Sequence, residues 1–146
     1  MKLQGAIFDF DSSLLDGEGN PLPGLEAFLF LMKLEDVWMF VSSERDRPGA
    51  QEALKKAGLA AHFKGVMAAD EYRCNATQPE FYEKVIRRLR TAPKATAIFT
   101  AREEVLRPLA AAGYPVVLVG AGHAPELQAL AVDTVPDYRD MSKLPE

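Results

Sequence analysis

Cysteine is almost missing from this chain: Cys74 is the only one among 146 residues. An intrachain disulfide and a cysteine-based metal cluster are therefore excluded. Histidine occurs twice, at His62 and His123, so a multi-histidine metal centre is excluded as well. No apolar run approaches the roughly 18 residues of a membrane span. The apolar stretch at the N-terminus is short and is broken by Asp9, so it does not read as a signal peptide. A soluble, cytoplasmic protein is expected. Positive charge is also short, with 17 basic against 21 acidic side chains and a net charge of −4. Nucleic acid and membrane are not expected partners of such a surface. The densest basic run, Arg87, Arg88 and Arg90, follows Lys84 at the end of an expected helix, where cations complement the helix dipole.

What is present suits a compact α/β protein. The chain is 48% hydrophobic and 26% charged, enough to bury an ordinary core. Its length fits one domain over residues 1–146. Short apolar runs alternate with helical patterns, which predicts βαβ units around a mainly parallel sheet. Strands are expected at residues 5–8 continuing into Phe10, then at 37–41, 63–68, 95–99, 115–119 and, as an edge, 132–135. Helices are expected at 23–34, 48–57, 79–90, 103–112 and 124–131. Gly58 and Gly113 sit where helix C-caps are required. The turn pairs Asp16-Gly17 and Gly19-Asn20 predict a small hairpin or flap over 14–22. Trp38, inside an apolar run, is expected in the core, and His62 beside Phe63 is expected to be structural.

Ligands of such sheets bind beyond the carboxyl ends of the strands. Five stretches are placed there: 9–13, 42–45, 69–75, 100–104 and 120–123. In the first, Asp9 and Asp11 lie two residues apart at the end of a buried run, so strand geometry would put both carboxylates on one face. Two such groups resist ionising together unless something positive sits between them. One can act as a nucleophile and the other can carry a proton. Cys74 next to Arg73 could be a reactive thiol, but an inert loop thiol is favoured. His123 in Gly120-Ala121-Gly122-His123 faces the ligand edge, and a turn is favoured there over a phosphate cradle.

The run Phe8-Asp9-Phe10-Asp11-Ser12-Ser13-Leu14-Leu15-Asp16 resembles the first motif of the haloacid dehalogenase (HAD) superfamily, an apolar strand followed by D-x-D-x-[TSV]-L. The order of elements resembles that superfamily over nearly the whole chain. The resemblance implies a Rossmann-like, three-layer α/β sandwich. It implies that Asp9 is the nucleophile that takes up a phosphoryl group and that Asp11 is the general acid and base. Val37-Trp38-Met39-Phe40-Val41-Ser42-Ser43 resembles the second motif, which would make Ser42 a phosphate ligand, with Ser13 beside it. Magnesium would be held by Asp9 and the backbone carbonyl of Asp11.

Two further motifs depart from the pattern. Ala76 stands where the phosphonatase- and phosphoglucomutase-like branch has a lysine ahead of a helix, and Arg73 is the nearest cation to replace it. Ala101 and Val105 stand where the magnesium-binding acids are expected. Glu103 and Glu104 are near but fall in a first helical turn, where acids complement the dipole. Magnesium is therefore expected to be weakly bound or absent. No stretch is free for a cap domain, since the flap, one helix and one strand fill residues 12–41. Two main classes remain open, with non-phosphate chemistry on the same loop, such as a dehalogenase-like displacement, as the remainder. One is a catalytically weak or inactive HAD-like protein with a binding or regulatory role. The other is a small capless phosphohydrolase acting through an aspartyl-phosphate on Asp9. The expected partner is a phosphorylated small molecule or a protein, with a homodimer as one way to cover the open site.

Overall fold

The computed structural model describes residues 3–139 and 141. Six strands form one parallel sheet: β1 (Gly5–Asp9), β2 (Trp38–Ser43), β3 (Gly65–Ala68), β4 (Thr96–Thr100), β5 (Val116–Val119) and β6 (Asp133–Val135). Their spatial order is β3-β2-β1-β4-β5-β6. The connecting helices are α1 (Phe10–Ser13), α2 (Leu25–Leu34), α3 (Arg47–Lys56), α4 (Ala69–Tyr72), α5 (Pro79–Leu89), α6 (Glu103–Ala111) and α7 (Pro125–Leu130). The order reverses direction between β1 and β4. Right-handed crossovers then place the two sets of helices on opposite faces.

The side chains of β1 show this division. Ala6 and Phe8 point into a cluster with Leu25, Phe28 and Met32 of α2 and Leu54 of α3. Ile7 points the other way, into a cluster with Phe81, Val85 and Ile86 of α5 and Leu106 and Leu109 of α6. All five residues of β1 are buried, as a strand covered on both faces requires. Phe8 stacks on Phe99 of β4 with ring centroids 4.5 Å apart.

The expected elements are present, with no end moved by more than two residues. The flap forms a tight hairpin closed by an antiparallel bridge between Leu15 and Pro21. Gly58 and Gly113 are left-handed at helix ends, as expected of C-caps. Two findings correct the sequence pattern. The first strand ends at Asp9 rather than Phe10, because the chain turns helical there. Trp38 is 53% exposed instead of buried, because it opens β2 at the uncovered amino end of the sheet.

The segment after β6 returns to the beginning of the chain. The buried Tyr138 donates its hydroxyl hydrogen to the Ser13 carbonyl at 2.8 Å, and its N–H bonds the Pro23 carbonyl. Gly24 lets the two segments of chain pass: a Cβ there would lie 2.5 Å from the Arg139 nitrogen.

Candidate functional site

Asp9 ends β1 beside the point where strand order reverses, the usual place for a ligand crevice in such sheets. Its carboxylate is fully buried. Arg102, just after β4, meets it with a two-pronged contact: Nε to Oδ2 at 2.8 Å and Nη2 to Oδ1 at 3.0 Å. The planar guanidinium matches a carboxylate in this way, and such paired bonds are among the strongest polar contacts in proteins. Thr100 donates its hydroxyl hydrogen to Oδ2 at 2.8 Å, and Ser12 does the same at 2.9 Å.

Each hydroxyl has one hydrogen, and each directs it to Asp9. Each also accepts a backbone N–H: Ala101 bonds Ser12 Oγ at 2.9 Å, and Arg102 bonds Thr100 Oγ1 at 3.1 Å. The network is thus closed on itself. No buried side-chain polar atom among the described residues lacks a partner. Burial works against the charge on Arg102, but the hydrogen bonds and charge of Asp9, with Asp11 further off, outweigh it and hold the guanidinium above its ordinary range.

Asp11 does not share this environment. It lies in the turn of α1 and is exposed, and its Oδ2 accepts the Glu44 N–H at 3.2 Å. Asp9 ends the strand and Asp11 lies in the helical turn that follows, so the strand alternation expected to set the two carboxylates on one face does not extend to Asp11. Ser13 Oγ donates to the Asp9 carbonyl at 2.8 Å. Ser42 lies next to Asp9 in register but is fully buried, 3.4 Å from both the Phe8 carbonyl and the Tyr82 hydroxyl. Tyr82 donates to the Ala76 carbonyl at 2.9 Å, and burial, reinforced by the charge of Asp9, raises its pKa well above the ordinary tyrosine value. Neither serine hydroxyl is thus turned to an incoming phosphoryl group.

Arg73 is exposed and left-handed at the end of α4, and no contact joins it to Asp9. The cation beside Asp9 is Arg102, from the far side of the site. Ala76 is buried, and its N–H bonds Glu44 Oε1. Glu103 pairs with Arg107 at 2.6 Å, and Glu104 Oε1 lies 4.0 Å from Arg102 Nε, the nitrogen that bonds Asp9. Both stay in the first turn of α6. Cys74 is half-buried and bonds the Tyr72 carbonyl, and the His123 ring lies 2.9 Å from the Val119 carbonyl at the end of β5. The pattern of the chain does not single out Arg102, Thr100 or Ser12. All three nonetheless fall in stretches that come after a strand, and Arg102 is the residue after Ala101.

A magnesium ion does not fit this donor set. It would need oxygens that Arg102 already holds, beside a fixed charge of the same sign. The Asp11 side chain bonds the Glu44 N–H, and an ion on the Asp11 backbone carbonyl would still have to share Asp9 with Arg102. No group of three or more acidic, histidine or cysteine side chains is placed to hold a metal among the described residues.

Solved structures with the same architecture are known. A β-phosphoglucomutase from Clostridium difficile has a TM-score of 0.70 and 20% identity, matching 84% of this chain and 52% of its own. L-2-haloacid dehalogenase from Xanthobacter autotrophicus, with chloropropionic acid covalently bound, has a TM-score of 0.68 and 19% identity, over 84% of this chain and 59% of its own. A predicted phosphoglycolate phosphatase from Haemophilus somnus has a TM-score of 0.72 and 16% identity, over 83% and 55%. This chain has the HAD fold. It spans little more than half the length of these HAD structures. No family model matches the sequence, and no curated protein does.

The HAD fold sets the carboxyl end of the sheet apart from the amino end. There, Leu3, Gln4, Asp36, Trp38, Leu89, Arg90 and Thr91 border a broad cavity of about 630 Å³. Asp36 and Arg90 are left-handed without being glycine. No helix among the described residues is long and apolar enough to cross a membrane.

Proposed function

We propose that this chain is a HAD-fold protein that has lost phosphoryl-transfer chemistry and serves as a binding or regulatory module. The observation that carries this reading is the two-pronged contact of Arg102 with Asp9. A carboxylate attacks phosphorus through an exposed oxygen lone pair aligned with the leaving group. Asp9 has no exposed surface; three donor contacts fall on its Oδ2 and one on its Oδ1. Each ionised carboxylate oxygen offers about two acceptor positions, so Oδ2 is fully engaged, while the position left on Oδ1 is buried with the rest of the group. A nucleophile held this way has little left to donate. Electrostatic stabilisation of the transferring group is normally the main part of such catalysis, and losing one element costs on the order of 10²–10³ in rate.

The reading takes residues 1–146 as one domain without a cap. The stretches between β1 and β2, and between β3 and β4, are filled by the hairpin and by helices of the core. The carboxyl end of the sheet then lies open to a partner. A phosphorylated small molecule, a protein, or a second copy of the chain are the partners it suits, in a cytoplasmic setting.

The competing reading is a capless phosphohydrolase that forms an aspartyl-phosphate on Asp9. It draws on a cation already in place beside Asp9 and on Asp11, exposed at the same edge. Turnover of p-nitrophenyl phosphate and acetyl phosphate, with and without magnesium, separates the two. The module reading expects no turnover above the blank and no difference between wild type and Asp9→Asn. Turnover that Asp9→Asn abolishes would establish the phosphohydrolase instead.

A further inference from the structure

We infer that Arg102 supplies within the chain the positive charge that a divalent cation would otherwise bring to Asp9, so that the guanidinium occupies a cation-accepting position. The inference rests on the non-catalytic reading for its setting, but it is tested through binding and stability rather than turnover.

A buried carboxylate without a compensating charge is costly. Asp9 is fully buried, so something positive has to accompany it whatever the protein does. Among the described residues, Arg102 is the only cation whose side chain contacts it. The replacement is complete in its geometry. Nε and Nη2 together reach both carboxylate oxygens, as a single ion bound to one oxygen would not. The backbone N–H of Arg102 is itself held by Thr100, which donates its hydrogen to the same carboxylate. Base and tip of the arginine are therefore anchored to one network.

The position is also one that a cation could take from solvent. The Arg102 side chain is 20% exposed, so its guanidinium lies at the mouth of the site rather than beneath it. Asp11, exposed at the same edge, adds a second negative charge that favours the guanidinium. With the arginine removed, Asp9, the hydroxyls of Ser12 and Thr100, and solvent would surround a vacated space lined by oxygen, the ligand type that magnesium selects.

Thermal unfolding in EDTA and in millimolar magnesium tests this. Wild type is expected to melt at the same temperature in both. Arg102→Ala in EDTA is expected to melt on the order of 10 °C lower, the loss that results when one partner of a buried pair is removed. Magnesium is expected to restore part of that loss. In the double variant Asp9→Asn, Arg102→Ala, which removes both charges, magnesium should have no effect. If Arg102→Ala does not fold in EDTA, recovery of a folded state on adding magnesium carries the same information, and Arg102→Lys, which keeps a charge but not the fork, should melt between wild type and alanine. A magnesium-dependent rise in wild type that Asp9→Asn removes would overturn the inference. So would an Arg102→Ala protein indifferent to magnesium. Metal-independent turnover by wild type would sink the non-catalytic reading and leave this inference standing.

Discussion

At the carboxyl end of the sheet Asp9 is enclosed, and both of its oxygens are bonded to neighbouring side chains. At the amino end, Trp38 is half exposed, and Asp36 and Arg90 border an open cavity in backbone conformations that usually select glycine. The two ends belong to the same strands, so the difference lies in the segments that flank them. After β1 and β4 come hydroxyls and a guanidinium that converge on one charge. Before β2 and β4 come the ends of α2 and α5, whose closing residues Asp36 and Arg90 are exposed. A polar cluster gains strength from being complete, whereas a set of capping residues can be altered one at a time. Substitutions at the carboxyl end are therefore expected to lower stability, and some at the amino end to raise it.

After Arg102→Ala, the largest effect is expected from Thr100→Val. The shape of the side chain is kept, while the donor to Asp9 and the acceptor for the Arg102 N–H are lost. A hydrogen bond to a charged group contributes about 1.5–3 kcal/mol, so denaturant titration should show a loss of that order. A loss below about 0.5 kcal/mol would mean that the network does not act as a unit.

The next effect depends on pH. Burial raises the pKa of Tyr82 and of Tyr138 well above the ordinary value of 10.0. The unfolded chain then releases these protons at a lower pH than the folded one. Their contribution is fully present below pH about 10 and is lost as pH rises toward the folded values. Phenolate absorbance from these two rings should appear only with unfolding, and stability should fall progressively above pH about 10. Ionisation of both rings in a protein that keeps its folded circular dichroism would contradict the packing at this end.

The smallest effects should have the opposite sign. Asp36 follows α2 with φ 58°, and its N–H and that of Val37 close the helix on the Lys33 and Met32 carbonyls. Gly58 and Gly113 close α3 and α6 by the same pattern of bonds. Arg90 ends α5 with φ 60°. Asp36→Gly and Arg90→Gly should each raise stability by about 0.5–1 kcal/mol, because glycine takes this conformation without steric cost. A fall in stability would show that these side chains do more at the cavity than end a helix.

The sheet and its helices were legible in the chain because their causes are local. An apolar run such as residues 115–119, or a helix bounded by Pro79 and Arg90, carries its period in a few neighbouring residues. Asp9 was legible for the same reason, as a charge inside an apolar run. Its partners were not. Arg102 and Thr100 are 93 and 91 positions away, and no local pattern joins them to Asp9. A lysine expected upstream of α5 points to Arg73, whereas the cation lies beside Ala101. The exposure of Trp38 was hidden by the opposite effect. An apolar run states that a strand is buried, but it does not say where along the strand the covering helices stop.

The chain that closes over Ser13 bears on how the protein is made. Tyr138 bonds the Ser13 carbonyl across 125 positions, and Asp9 meets Arg102 across 93. The central strand is thus synthesised 93 residues ahead of its counter-charge. Contacts this distant must pay for loop closure before they return anything, which slows folding. On the ribosome, β1 to β3 would carry Asp9 without its arginine, an arrangement that disfavours early burial. Commitment to the sheet would then wait for β4 to arrive, and the later segment that carries Tyr138 would fasten the loop in which that commitment was made.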